Sequence, residues 1–550
     1  MRTRRQRLAA KLPIYRLVPR ELTEDRLDQL ATRAFGLQSY GAERMAEELR
    51  LSSRSTQLKL NARTGALWMA DEAQLWKPEV KPRLPKEGEA ARAAREFLRK
   101  HDLLPKSHGD LQLELGSITT GGTVLTTMSR NNKRRQNRKL DVHVSFGMFV
   151  QTRSGEGNAK LRVPIIGEAG KLGLTIGNRG QVIAHNSGWR AADGIETQAR
   201  VIPQEEADAR FRDRMGGLKI QSSESSLAYQ AVQREGERAY LCPVWVHRSS
   251  AWFGDRIIPL RNITAPATEF GPKIPKSSPQ PKRSRRNKPA PWAKGVPKNY
   301  QKRTLARTAS NPFEAGTSWI GESGGLAGSK NNAKGFVDGL RTDGWTINFN
   351  WGDANAWESD WRRNDDDWVD AADFVFYTGH ADGNGWVLSS PDDGSLSYTE
   401  VGTSPQSPGD LYGQQDLEWM IVAACGPLED DVICAGGGDV FDRWDGAFDG
   451  LHLLMGYGSV TNDNEDEGNR IVQYARGGST LIDGWFRTGR EIQPSTNGWA
   501  APFGPTVWVG VMYVTRAGLV SAANDHLWGH GSVAPDPTSP DGLVAMWTTC

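Results

Sequence analysis

The chain has 550 residues, 24% of them charged, a net charge of +3 and four cysteines: Cys242, Cys425, Cys434 and Cys550. That length predicts about three domains with cores large enough to need no disulfide framework. There is no C-x-x-C pair to argue for zinc, and no apolar run reaches the roughly 18 residues of a membrane span. The near-neutral total hides a split: residues 1–308 carry 57 Lys+Arg against 30 Asp+Glu, and residues 309–550 carry 11 against 35, so the two halves should attract each other.

The basic start, Met1 to Arg5, is not followed by the apolar stretch of a secretory leader, because Lys11, Pro13 and Arg16 interrupt Leu8 to Leu17. A cytoplasmic location is expected, with secretion left open. Residues 1–108 and 109–264 read as two α+β modules. In the first, Leu22, Leu27, Leu30 and Ala31 have helical spacing, residues 57–69 form a hairpin around Asn61 to Gly65, and Glu89 to His101 is helical. In the second, strands are expected at 111–115, 123–128, 142–150, 172–176, 182–184 and 238–246, with a helix at 205–215. Residues 265–311 read as a linker: Gly271 to Thr308 holds twelve Lys/Arg and no acid, too little apolar surface to fold alone. Its run Lys282 to Arg286 suits a protease that cuts after basic residues and equally a localisation signal, but a solvated tether is the first expectation. A nucleic-acid partner is not expected, since no binding motif is present and aromatics interleave with the basic residues only near Trp292 and Tyr300.

Residues 312–550 alternate strands and helices. Strands are expected at 317–321, 345–350, 373–378, 418–424, 451–457 and 506–514, with helices at 331–340, 440–448, 467–476 and 480–490. This fits an α/β domain with one six-stranded, mainly parallel sheet flanked by helices. Two of its apolar strands end in reactive residues, one in Thr378-Gly379-His380, the other in Ala424-Cys425-Gly426. Ligands sit beyond the carboxyl ends of strands in open α/β sheets, so the imidazole and the thiol should face each other across that rim. Gly379 and Gly426 would let a substrate carbonyl approach the backbone, whose N–H groups stabilise an oxyanion.

Here the chain resembles the caspase-like cysteine peptidases: caspases, legumains and gingipains. The 45 residues between His380 and Cys425 are close to the spacing of about 50 in caspases. The resemblance implies that Cys425 is the nucleophile and His380 the acid/base, with the backbone around Gly379, Ala381 and Gly426 binding the oxyanion. It also places Asn462 and Asp463 where specificity loops sit, with Asp463 recognising a basic side chain; Asp382 is a further expected substrate contact, and Trp351, Trp357 and Trp386, on loops, would line the cleft, although most tryptophans are core. Residues 313–535 are more specifically similar to an uncharacterised caspase-like domain family of bacteria and fungi. Its marks are Asn348 to Asp353, Trp357 to Asp360, Tyr377 to His380, Ala423 to Leu428 and Ala447 to His452. The front half resembles PepSY-like propeptide domains through Val163 to Gly167, Gly177 to Gly180, Gly188-Trp189-Arg190 and Tyr240 to Val246, which implies a chaperone or inhibitor of the attached enzyme.

The expected function is a cysteine peptidase or related amide-processing enzyme acting on a peptide or protein, restrained by contact with its basic front half, which a cut near 282–288 would release. Two departures, Ala381 where glycine is usual and Pro427 with no N–H, motivate the alternative of an inactive scaffold that binds peptides; a transpeptidase or deamidase shares the same acyl-enzyme. No metal or other cofactor is expected. Calcium has two weak candidate clusters, Asp365 to Asp367 and Asp463 to Gly468, which solvated loops explain as well. His526 and His530 mimic a metal pair without a third ligand, and Cys434 reads as structural.

Overall fold

The computed structural model describes residues 11–19, 23–37, 40–44, 48–107, 109–153, 160–233, 238–254, 256–271, 313–389, 394–402, 411–499, 504–516, 521–537 and 540–550. The basic segment 282–288 and most of the expected linker lie outside them. The chain is mixed α/β, with strands predominating and pairing largely antiparallel.

The front half builds a 15-stranded sheet. Its spine is the antiparallel pair Lys219–Gln233 and Ala239–Phe253. Strand Lys11–Val18 pairs with Ala191–Arg200 and with Ala239–Phe253, and Leu67–Asp71 pairs with Val182–Ser187. Strands of residues 1–108 therefore interleave with strands of 109–264 in one sheet. Helix Glu87–Lys100 buries Ala90, Ala94 and Leu98, one turn apart, in the hydrophobic core of that sheet.

The back half holds a second, nine-stranded sheet. In chain order its strands are β1 (Thr123–Ser129), β2 (Arg135–Lys139), β3 (Glu314–Trp319), β4 (Thr346–Gly352), β5 (Phe374–Thr378), β6 (Trp419–Ala423), β7 (Leu453–Tyr457), β8 (Trp508–Thr515) and β9 (Gly542–Thr549). In space they run β4-β3-β5-β6-β7-β8-β9-β1-β2. The first five are parallel and the last four antiparallel. The six-stranded, mainly parallel sheet read from the sequence is thus a parallel block of five, extended antiparallel by four. The extension has a physical reason: β8 would otherwise leave an open edge, which the apolar tail β9 and then the β1–β2 hairpin from the front half cover.

Every residue of β5, β6 and β7 is buried, as suits parallel strands covered on both faces. Helix α1 (Ser329–Thr342) packs on β3, β4 and β5 through Ala333, Phe336, Val337 and Leu340. The Phe336 ring stacks on Phe376 at 5.0 Å. Helices α2 (Glu467–Arg476) and α3 (Leu481–Ile492) follow beside it. No helix among the described residues is long and apolar enough to cross a membrane.

The halves join along β1 and β9, which pair over Thr123↔Thr548 to Ser129↔Gly542. The charge split is realised as ion pairs across the seam. Lys77 reaches Asp483 at 2.7 Å, Arg130 reaches Asp445 at 2.6 Å and Arg135 reaches Asp430 at 3.0 Å. A cut in 282–288 would put β1 and β2 on a different fragment from β3 to β9, and the hydrogen bonds of the β1–β9 pairing and the ion pairs of the seam would then hold the two together.

Candidate active site

Strands β5 and β6 are parallel neighbours in the register Phe374↔Trp419 to Thr378↔Ala423. His380 and Cys425 each lie two residues beyond the last pair, so they take equivalent places at adjacent strand ends, where strands are about 4.8 Å apart. Gly379 is required by packing, because a Cβ there would run into the Tyr377 hydroxyl. Gly426 turns the chain with φ of +73°, in the left-handed region, and a Cβ would strike Glu429.

Both reactive side chains are fully buried. His380 Nε2 lies 2.8 Å from the Gly324 carbonyl, and Nδ1 accepts the Arg261 backbone N–H at 3.3 Å. These partners assign the tautomer: Nε2 carries the proton and Nδ1 presents a lone pair. Burial pulls the imidazole down to about 4, the Arg261 guanidinium acts in the same direction, and the Gly324 bond opposes them. Cys425 Sγ accepts the Thr461 N–H at 3.4 Å and lies 3.7 Å from Thr461 Oγ1. Burial pushes its thiol up to about 11, against the Thr461 hydrogen bonds and the Arg261 charge. The pair is therefore neutral as folded at pH 7.

What covers the pair is a strap from the front half, Leu260 to Ile263. The fully buried Arg261 side chain enters the space beside the two strand ends. Nη1 donates to Thr378 Oγ1 at 3.1 Å and to the Ala423 carbonyl at 2.8 Å. Nη2 donates to the Asn462 carbonyl at 2.8 Å and to both Glu467 oxygens, at 3.3 and 3.1 Å. Glu467 opens α2 and is itself held by Tyr457 at 2.6 Å, Gln493 at 2.7 Å and Asn332 at 3.0 Å. Asn262 forms a parallel bridge with Asn462: its N–H donates to the Thr461 carbonyl at 2.8 Å, and its carbonyl accepts from Asp463 at 2.8 Å. Its side chain donates to Asn462 Oδ1 and to the Asn497 carbonyl and accepts from Trp499 Nε1.

The other expected site residues divide. Asn462 lies in the cleft. Asp463 offers its backbone to the strap, but its carboxylate accepts the Gly328 N–H at 3.0 Å; the basic side chain in the cleft is held by Glu467 instead. Burial raises the Asp463 carboxyl, against the charges of Arg261 and Arg214. Trp386 is a correction: it is core, its ring 5.4 Å from those of Trp361 and Trp444. Trp351 packs on Phe349 and Trp368, and Trp357 bonds the Ala354 carbonyl. Asp382 caps the Asn384 N–H at 2.9 Å and faces Arg256 at 3.5 Å. Ala381 pairs with Trp386 in a small hairpin that leads away from His380. The Gly426 N–H already donates to the Ser459 carbonyl at 3.1 Å, so it is not the oxyanion donor in this state.

Outside the cleft, His526 bonds Ser532 while His530 meets Asp343 at 2.7 Å, so they serve separate loop contacts. The Asp463 to Gly468 cluster is engaged by protein, with Asn464 capping the N–H groups of Asp466 and Glu467. Among the described residues, the carboxylates close enough to share a metal ion are Glu314, Asp373 and Asp416, at the far ends of the strands from His380. Cys434 is half-buried and Cys550 fully buried. Sequence reasoning missed Arg261, Asn262 and Gly324; Thr461 adjoined the expected specificity loop without a role of its own, and Glu467 was noticed only within the Asp463 to Gly468 acidic cluster and at the start of an expected helix.

Residues 315–549 match the family described as domain of unknown function DUF6345. Among solved structures, the chain is similar to an uncharacterized protein from Eubacterium rectale at 10% identity and a TM-score of 0.26, over 48% of this chain and 85% of that one. No curated protein matches. The chemistry therefore rests on the geometry just described.

Proposed function

We propose that this chain is a latent cysteine peptidase with Cys425 as nucleophile and His380 as acid/base, on a caspase-like parallel block. The observation that carries the reading is the pair of equivalent strand ends, with His380 Nδ1 unprotonated and aimed at a backbone amide. The strand order supports it. The order in which successive strands are added to the sheet reverses between the parallel neighbours β3 and β5, and ligands of open α/β sheets sit at such a switch point. Gly324 follows β3, His380 follows β5, and the hydrogen bond between them ties the site to that crevice.

In the reaction Cys425 Sγ bonds the substrate carbonyl carbon as the C–N bond breaks. The thiol proton passes through His380 Nδ1 to the leaving nitrogen. Water then attacks the thioester, supplying hydroxyl to the carbonyl and a proton back to sulfur. The front half acts as the propeptide-like restraint, through the strap that covers both residues.

The test is the rate of Cys425 alkylation by iodoacetamide in an Asn262→Ala chain, whose strap is less firmly held, with and without His380→Ala. A dyad predicts at least a tenfold slower reaction at pH 7 without His380. Equal rates would exclude the dyad. The commitment of the Gly426 N–H to Ser459 favours a second reading, a peptide-binding scaffold. A Cys425 that stays inert after strap loosening would decide for it.

A further inference from the structure

The strap does more than cover the thiol. We infer that Leu260 to Ile263 is a built-in pseudo-substrate and that the cavity holding its Arg261 side chain is the specificity pocket of the enzyme, selective for arginine. The inference rests on the peptidase reading of Cys425 and His380 and adds the substrate class and the mode of restraint.

Three observations carry it. First, the pocket matches a guanidinium. Both terminal nitrogens of Arg261 meet acceptors in the plane-spanning pattern that a planar fork requires, and the charge is met by Glu467. A lysine ammonium is a single point, without the two-nitrogen fork that meets Thr378 and Ala423 on one side and Asn462 and Glu467 on the other. Second, the pocket adjoins the chemistry. The Ala423 carbonyl that accepts Nη1 lies two residues before Cys425, and Thr378 lies two before His380. Third, the strap pairs with Thr461 to Asp463 through a single parallel bridge, Asn262 with Asn462, a backbone pairing of the kind by which extended peptides are held beside a chain edge.

The same geometry explains why the strap is not a substrate. Cleavage after Arg261 needs the Asn262 nitrogen at His380. That nitrogen donates instead to the Thr461 carbonyl, and the nitrogen presented to His380 is that of Arg261 itself. The pocket is filled by the right side chain on a backbone in the wrong register. A productive peptide would place its arginine side chain on Glu467 and its arginine carbonyl at Cys425.

Two arms on the full chain test this. Arg261→Ala empties the pocket, and n-propylguanidinium replaces the deleted group. It should raise the melting temperature of Arg261→Ala by at least about 2 °C, leave wild type unmoved, and lose its effect when Glu467→Gln is added. No shift, or an equal shift with n-butylammonium, would overturn the pocket. The second arm uses Asn262→Ala, which keeps Arg261 and Glu467 and covers the case in which Arg261→Ala does not fold. A peptidyl-arginyl chloromethyl ketone should label Cys425 at least tenfold faster than its norleucyl counterpart, and faster than in wild type. Equal labelling by both ketones refutes arginine selectivity and leaves the reactive thiol standing. Absence of labelling by either ketone while propylguanidinium binds refutes the peptidase reading, and the substrate assignment falls with it.

Discussion

Arg261→Met asks how much the buried arginine holds the strap in place. The methionine fills most of the volume, so the change removes the charge and the guanidinium hydrogen bonds while leaving little cavity. Arg261 and Glu467 are both fully buried, and removing one partner of such a pair typically costs about 3–5 kcal/mol, because the other charge is left uncompensated. Glu467 keeps Tyr457, Gln493 and Asn332, which puts the expected loss near 3 kcal/mol, about a hundredfold. The readout is native-state hydrogen exchange at the Arg261 and Asn262 amides, bonded to His380 and Thr461. Adding Glu467→Gln should recover at least about 1 kcal/mol, since a neutral amide needs no counter-charge. A loss of protection under tenfold, or a double variant worse than the single, would refute the claim that this ion pair pins the strap.

Two histidines give opposite pH signatures. His380 is depressed from 6.5 to about 4 by burial, so its contribution is complete above pH 6.5 and is lost as pH falls to 4, about 3 kcal/mol in all; urea denaturation at pH 7, 5 and 4 should show a slope that His380→Gln removes. His452 is raised to about 9: burial opposes the charge, but the Asp525 carboxylate at 2.7 Å and Asp536 outweigh it. Its contribution is complete below pH 6.5 and lost as pH rises through 9, so His452→Gln should lower the melting temperature at pH 6 much more than at pH 10. Trp386→Ala should cost about 3–5 kcal/mol of stability by cavity formation, seen in the urea midpoint; a change confined to peptide KM would contradict its place in the core.

The parts of the site that were legible lie on continuous apolar strands. Phe374 to Thr378 and Trp419 to Ala423 announce themselves as buried strands, and a histidine or cysteine just beyond each is conspicuous. The charge split likewise foretold the seam between halves. Arg261 was not legible, because its partner Glu467 is 206 residues away and nothing in Leu260-Arg261-Asn262 marks a strap. Asp463 stood out as the acid nearest the expected specificity loop, yet the helical start carries Glu467 four residues on, and that side chain points into the cleft. Strand Lys219–Gln233 was missed for its polar serine-rich middle, which suits its exposed burial pattern. Strand β9, apolar, gained its meaning through pairing with β8 on one side and with Thr123 to Ser129 on the other.

The most direct measurement is hydrolysis of fluorescently labelled casein by full-length Asn262→Ala, beside the same chain carrying Cys425→Ala. The account predicts cleavage by the first, absent from the second, with new carboxyl termini at arginine. No cleavage by either chain, with both folded and the strap amides exchanging freely, would contradict it.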